Sequence, residues 1–316
     1  MTKWFIFIVI LIIGIYILGC EKKYMITNFE NDKGIFQAVW LDNNKLVIAK
    51  LPNLGNKMEV GCDLFVKQVM SPSKEDFLYS EKNYNSLHLV GYITDEDSLI
   101  YSVRSVVDKS SLLNFYKINV LNKPANPTLL YTLSKVWDYA ISNDGKKLAY
   151  IKYEKEGKSS LYLMDLTSQK EELVYTYGTR VTTLAFSPKG DILAVSDDNW
   201  AIDAARHSLG YIALNNKNAI EQLTEKERDA WIKEIVWSKD GNNIYFFEYI
   251  IPDVVPRNEN PIKKTNICSI NLNDRRKKII YQSKGRDMCM GLDLSPDGQY
   301  LSFIQSNKLT LLNLMK

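Results

Sequence analysis

ISNDGKKLAYI (Ile141–Ile151), FSPKGDILAVS (Phe186–Ser196), WSKDGNNIYFF (Trp237–Phe247) and LSPDGQYLSFI (Leu294–Ile304) are four copies of one unit. Each begins with a bulky apolar residue, passes through a short polar turn carrying Ser and Gly, and ends in a run of β-forming residues. Gly accepts the positive φ that other side chains resist, so Asp-Gly or Asn-Gly between such runs predicts a tight hairpin. Two degraded copies precede them, WLDNNKLVIA (Trp40–Ala49) and ITDEDSLIYSV (Ile93–Val103). Counted between the turn residues Asn44, Asp97, Gly145, Gly190, Gly241 and Gly298, the unit recurs at intervals of 45 to 57 residues.

The bulky residues Trp40, Ile93, Ile141, Phe186, Trp237 and Leu294 are the landmark residues of the repeat: they occupy one phase of it and are expected to wedge between neighbouring sheets. A third strand follows the later turns, as in LYLMDL (Leu161–Leu166), YIALNN (Tyr211–Asn216), NICSINL (Asn266–Leu272) and KLTLLNL (Lys308–Leu314), and a shorter fourth precedes the next copy. A period near fifty with four strands predicts an all-β chain, a β-propeller of about six four-stranded blades. The last repeat supplies only three strands, while KYMITNF (Lys23–Phe29) is left over before the first. The N-terminal strand is therefore expected to close the last blade and remove an exposed edge.

The SPDG turn, with its L-A-Y and L-Y-L-M-D-L strands, resembles the WD40-like repeat of TolB-type β-propellers, which also occurs in the N-terminal domains of prolyl oligopeptidase-like enzymes. The resemblance covers most of the chain after Cys20. It implies a fold and leaves activity open, because propellers host many unrelated functions.

The first twenty residues, MTKWFIFIVILIIGIYILGC, read as an export signal. Lys3 provides the positive start, and the apolar run from Trp4 to Leu18 is shorter than the roughly 20 residues of a spanning helix. Its end, Ile17-Leu18-Gly19-Cys20, resembles a bacterial lipobox, which implies lipidation of Cys20 and attachment to the bacterial cell membrane, facing outside the cytoplasm. An uncleaved signal anchor is the alternative. The expected organisation is a signal peptide over 1–19, a lipidated terminus and short linker over 20–22, and one propeller over 23–316.

Composition agrees with a folded domain: 46% of residues are apolar and 24% charged, with a net charge of +3. So small a charge gives no basis for a nucleic-acid partner. Cys62, Cys268 and Cys289 lie in apolar strand-like runs and are expected to be small buried thiols, with a Cys268–Cys289 bridge as the alternative.

In an antiparallel meander, the first-to-second and third-to-fourth turns share one side of the disc. The second-to-third and blade-to-blade connections share the other. The long insertions, Asp197–Arg206 and Pro252–Lys264, fall on that second side, which is the expected binding face. Its candidate residues are Asp197, Asp198, Trp200, Asp203, His207, Trp231, Arg257, Lys263 and Lys264. The acidic cluster with His207 matches no calcium-loop spacing, and a solvated loop is the plainer reading. Trp200 and Trp231 offer stacking surfaces for a sugar or peptide side chain, or simply pack beneath the loops. Arg257, Lys263 and Lys264 form a small basic patch, more simply a solvated one.

No GxSxG elbow, HExxH helix or phosphate-binding Gly loop is present, and no cofactor or metal is called for. The expected function is a lipid-anchored binding or protein-interaction module for a protein, peptide or envelope glycan. The alternative is a metal-dependent propeller hydrolase or lyase working in the central channel, with Asp138, Arg180 and Asp293 as the channel candidates.

Overall fold

A computed structural model describes residues 26–28, 35–51, 62–69, 74–81, 86–107, 110–122, 125–154, 158–178, 180–198, 206–216, 219–224, 227–228, 230–251, 262–283 and 287–315. The leader, Cys20, Trp200, Asp203 and Arg257 lie outside them.

The chain is an all-β propeller of six blades, each built outward from an innermost strand. Those strands are Ile35–Asp42, Ser86–Ile93, Val136–Ile141, Arg180–Phe186, Ala230–Trp237 and Cys289–Leu294. They contact one another in sequence, and the last contacts the first, which closes the ring. In blade 6 the innermost strand is followed by Tyr300–Gln305 and Lys308–Asn313. Ile26–Asn28 then pairs antiparallel with Lys308–Asn313, so the N-terminal strand completes the last blade.

Blade 4 departs from the pattern. Among the described residues its third strand, Arg206–Ala213, carries only two short outer partners, Glu221–Gln222 and Glu227–Arg228, in place of one full strand. A single parallel pairing, Arg206 with Ala230, ties it to the innermost strand of blade 5.

Six apolar clusters form the core, one in each seam between adjacent blades. The landmark residues sit in these seams as their phase predicts. Trp40 packs with Ile304, Leu309 and Leu311 of blade 6 and stacks on Tyr300. Trp237 joins Ala185, Ala194 and Leu209 of blade 4, and its indole N–H donates to the Ala185 carbonyl at 3.1 Å.

The recurrent turn is wider than a two-residue hairpin, because serine organises it. In blade 3, Ser142 N–H donates to Lys147 O, Lys147 N–H returns to Ser142 Oγ, and Ser142 Oγ donates to Asp144, enclosing four residues. Gly145 enters the left-handed region at φ +67°. Ser238 and Ser295 repeat the arrangement, and Ser187 repeats its main-chain closure while its hydroxyl donates instead to Asp191. Blade 2 manages without glycine, since Asp97 itself takes φ +48° after a single 3-10 turn. Each glycine faces the preceding blade's turn: Gly145 against Ile93, Gly190 against Ser142, Gly241 against Pro188 and Gly298 against Lys239. The short turns thus stack around one face, and Asn43 closes the circle by accepting the N–H of Asp297.

The outermost strands of blades 1, 2, 3 and 5 share an irregularity. Pairing slips at Leu64/Phe65, Phe115/Tyr116, Leu161/Tyr162 and Ile267/Cys268. Beside each slip a large apolar residue, Phe77, Leu129, Leu173 or Ile279, is exposed. These are β-bulges, which blunt a sheet edge against pairing with another chain.

Candidate functional site

The innermost strands enclose a central cavity of about 400 Å³. Three of its polar residues occupy one phase of the repeat. Gln37, Asp138 and Glu234 each stand three positions before a landmark residue, on alternate blades 1, 3 and 5. Each reaches the following blade: Gln37 accepts the N–H of Leu89 at 2.6 Å, Asp138 that of Leu184 at 3.0 Å, and Glu234 that of Leu292 at 2.8 Å. Every innermost strand carries a register shift in this region, which swings these side chains out of the strict two-residue alternation and into the lumen. Asp293 lines the same cavity and accepts the N–H of Trp40 at 2.9 Å.

Enclosure sets the electrostatics. Burial pushes Asp138 up to about 6, against the lowering effect of Lys233 and of the Tyr139 and Leu184 N–H groups. Glu234 rises to about 7, chiefly through burial and further through the charge of Asp138. Asp293 rises to about 6 by burial. His88 is open to the lumen rather than to bulk solvent, and its enclosure there pushes the imidazole down to about 4. It packs edge-on against Tyr139. The channel therefore holds a neutral imidazole and three carboxyl groups that titrate in the near-neutral range. Among the described residues, no three His, Cys, Asp or Glu side chains converge as metal ligands would.

Of the sequence-derived channel candidates, Asp138 and Asp293 line the cavity. Arg180 stands at the start of its innermost strand, outside the cavity lining. Its guanidinium carbon lies 4.5 Å from the ring centre of Trp137 and 4.6 Å from that of Tyr153, and the two rings are 5.0 Å apart. Nε of Arg180 donates to the Tyr153 hydroxyl. This trio sits at strand ends facing the blade-to-blade and second-to-third connections, the side of the disc that carries the long insertions. Trp137 is 48% exposed although aromatic. Its backbone is held by Arg104, which donates to Trp137 O at 3.4 Å and to the preceding Val136 O at 2.9 Å.

The insertion candidates are placed as follows. The strand Ile192–Asp198 includes Asp197 and Asp198, so this connection is shorter than the sequence suggests. Asp197 accepts the hydroxyl of Ser208, and Asp198 is the main-chain partner of both Arg180 and His207. His207 is buried in the strand Arg206–Ala213, its ring 6.3 Å from that of half-buried Trp231. Burial, reinforced by Lys233, lowers His207 to about 3, so it stays neutral. Lys263 is exposed, and Lys264 begins the strand Lys264–Asn271.

The cysteines Cys62, Cys268 and Cys289 are free and buried. Burial pushes the Cys62 and Cys289 thiols up to about 12, far from reactive thiolates. Cys268 rests against Glu248, which also takes Lys277 at 2.7 Å and Asn266 at 2.9 Å.

Sequence reasoning missed Gln37 and Glu234. The signal was present, because both share the phase of Asp138 relative to a landmark residue. It also missed Trp137, which nothing in the local pattern distinguishes from the other strand aromatics.

Solved structures with the same architecture include a candidate TolB from Agrobacterium tumefaciens, at 15% identity and TM-score 0.58, covering 91% of this chain and 96% of that one. TolB from Acinetobacter baumannii matches at 14% identity and TM-score 0.57 over 86% of this chain, which spans 64% of that protein's length. An oligogalacturonate lyase from Vibrio parahaemolyticus matches at 13% identity and TM-score 0.54, over 90% of this chain and 75% of that one. At such identities the likeness is one of fold. No curated protein sequence matches this chain. Residues 131–311, more than half of the chain and most of blades 3 to 6, match the family described as prolyl oligopeptidase, N-terminal beta-propeller domain. With the turn geometry, the seam residues and that match in agreement, the chain belongs to the prolyl oligopeptidase N-terminal β-propeller family.

Proposed function

We propose that this chain is a lipid-anchored propeller outside the cytoplasm that serves as a binding or protein-interaction module, and that its long-connection face is the working surface. The contrast between the two faces of the disc carries this reading. On one face, Ser-centred turns stack against each other and engage their own polar groups. On the other, Trp137 is exposed beside Arg180, and the longest connections emerge. Rigid scaffolds carry function on such connections. The likeness to TolB structures supports an interaction role, and the Ile17–Cys20 motif supports the anchor.

The channel reading receives less support. Asp138, Glu234 and Asp293 are already engaged by main-chain N–H groups of neighbouring blades, as groups that hold the ring together would be.

Two measurements test the proposal. Metabolic labelling with a palmitate analogue should mark the wild-type protein and not Cys20→Ala, and equal labelling of both would remove the anchor. Cross-linking in the native cells should join residues around the 199–205 and 252–261 connections to one partner. Replacing the 199–205 connection with a short Gly-Ser linker should abolish that capture while leaving the melting temperature unchanged. Capture that survives the replacement would refute this choice of surface.

A further inference from the structure

The repeat builds the central cavity in levels. Three positions before each landmark residue stand Gln37, Val90, Asp138, Thr183, Glu234 and Gly291, one from every blade, and all six line the lumen. His88 lies two residues before Val90, on the same side of its strand, at the inner end of the cavity. One position before the landmarks, Val39, Ala140, Ala185 and Val236 make an apolar sleeve, to which blade 6 contributes Asp293. Asn143, Pro188, Lys239 and Pro296, each following its turn serine, line the far end. Ile35, Val136, Arg180, Ala230 and Cys289, which begin innermost strands, are not part of the lining. The cavity thus leads to the short-turn face, away from the long connections.

Its polar level is anionic. Glu234 feels the charge of Asp138 across the lumen, while Lys233 acts on both from outside the lining. Lys239, at the mouth, is the one lysine or arginine among the lining residues. Acceptor capacity is left over. A carboxylate offers about four acceptor positions. Asp138 takes the N–H groups of Tyr139 and Leu184 and the Thr183 hydroxyl, and Glu234 takes those of Gly291 and Leu292. Neutral His88 presents one acceptor nitrogen, and neither of its ring nitrogens has a hydrogen bond among the described residues. A metal ion needs ligands that converge, and among the described residues no three such side chains do. A primary ammonium brings three donors of its own and can reach acceptors spread around a ring.

We infer that the channel is a binding site for a small primary amine, its ammonium held by Asp138 and Glu234 above His88 and its alkyl part lying in the sleeve toward the short-turn mouth. This site stands apart from the long-connection face and does not depend on it.

NMR titration of the isotope-labelled full chain at about pH 8 decides the matter, with butylamine, butanol, butyltrimethylammonium and calcium chloride as probes. At that pH Asp138 and Glu234, raised to about 6 and about 7, are ionised, and an alkylamine keeps its proton up to about 10.4. Butylamine should bind. Butanol, which lacks the charge, and butyltrimethylammonium, which lacks N–H donors, should bind at least about tenfold more weakly, the equivalent of one charged hydrogen bond. Asp138→Asn and Glu234→Gln keep an acceptor oxygen for the neighbouring N–H and remove the charge, so each should weaken butylamine by about tenfold or more. If these variants do not fold, the ranking of the probes on the wild-type chain stands as the test. Absence of any shift with butylamine, equal affinity for butanol or butyltrimethylammonium, unchanged affinity in either variant, or displacement of butylamine by calcium would overturn the inference. Each of those results leaves partner capture through the 199–205 connection intact.

Discussion

The carboxylate of Asp293 in the sixth blade accepts the main-chain N–H of Trp40 in the first at 2.9 Å, so the ring is tied at its hub as well as at its rim, where Ile26–Asn28 pairs with Lys308–Asn313. The two ties act on different strands of the same closure. One joins the innermost strands of blades 6 and 1, and the other completes the outer part of blade 6.

Asp293→Ala should therefore destabilise the propeller by about 1–3 kcal/mol, the cost of leaving a partly buried N–H without its acceptor. Asp293→Asn, which keeps an acceptor oxygen, should cost less. Chemical denaturation of the two variants checks the order, and equal losses would mean that the hub tie contributes nothing.

The raised carboxyl groups make stability depend on pH with a defined sign. A carboxyl whose folded-state pKa lies above its unfolded value contributes stability that is fully present below the unfolded value and is lost as pH rises through the folded one. For Glu234 that window runs from about 4.5 to about 7. Glu234→Gln imitates the protonated form at every pH. The variant should thus melt higher relative to wild type at pH 8 than at pH 4.5, with most of the change between those limits. Comparing the pair cancels His88 and His207, whose depressed pKa values act oppositely, contributing above about 6.5 and failing as pH falls toward about 4 and about 3. A pH-independent difference between wild type and variant would contradict the assignment.

Two landmark tryptophans in the same phase should respond differently to Phe. Trp237 donates to Ala185 O, whereas the buried indole N–H of Trp40 has no hydrogen-bond partner among the described residues. Trp237→Phe should cost about 1 kcal/mol or more beyond Trp40→Phe, because only the former breaks a satisfied bond. Urea midpoints of the two variants measure the gap.

Gly145 and Gly241 separate backbone strain from steric conflict. Both sit at positive φ, so Ala at either position should cost about 1 kcal/mol in strain. A methyl group on Gly145 would also stand 2.3 Å from Cδ1 of Ile93, while one on Gly241 meets only Pro188 at 3.7 Å. Gly145→Ala should be the more damaging of the two. Ile93→Val, which removes that carbon, should recover the excess in a double-mutant cycle. Absence of coupling would mean that the blade 2 to blade 3 seam yields without cost.

The architecture could be read from the sequence because each repeat carries its own local logic. Ser142, Asp144 and Gly145 make a turn wherever their pattern occurs, and the landmark residue ahead of it lies in the seam by phase alone. Even Asp97, with no glycine, kept its place because Ile93 marked the phase. Side-chain direction near the hub was harder. Sequence periodicity assumes strict alternation along a strand, and the register shift between Val136 and Tyr139 breaks it, so that adjacent Trp137 and Asp138 serve different places. The shift between Val181 and Thr183 similarly separates Arg180, at the rim, from Thr183, in the channel. The closing strand was legible from a count of strands. The hydrogen bonds that join each of blades 1, 3 and 5 to the next were not, because donor and acceptor lie about fifty positions apart and the donors are main-chain groups that leave no mark in the sequence.

The closing strand also fixes an order of events. Its partner, Lys308–Asn313, belongs to the sixth blade, so Ile26–Asn28 has nothing to pair with until all the intervening blades have been made. Until then the growing protein is an open crescent, with the seam faces of blades 1 and 6 apart and the apolar residues Ile35, Trp40, Leu46 and Ile304 uncovered. Loop-closure entropy over all six blades must be met before that pairing stabilises anything. Ring closure is therefore the step that decides whether this protein matures or aggregates.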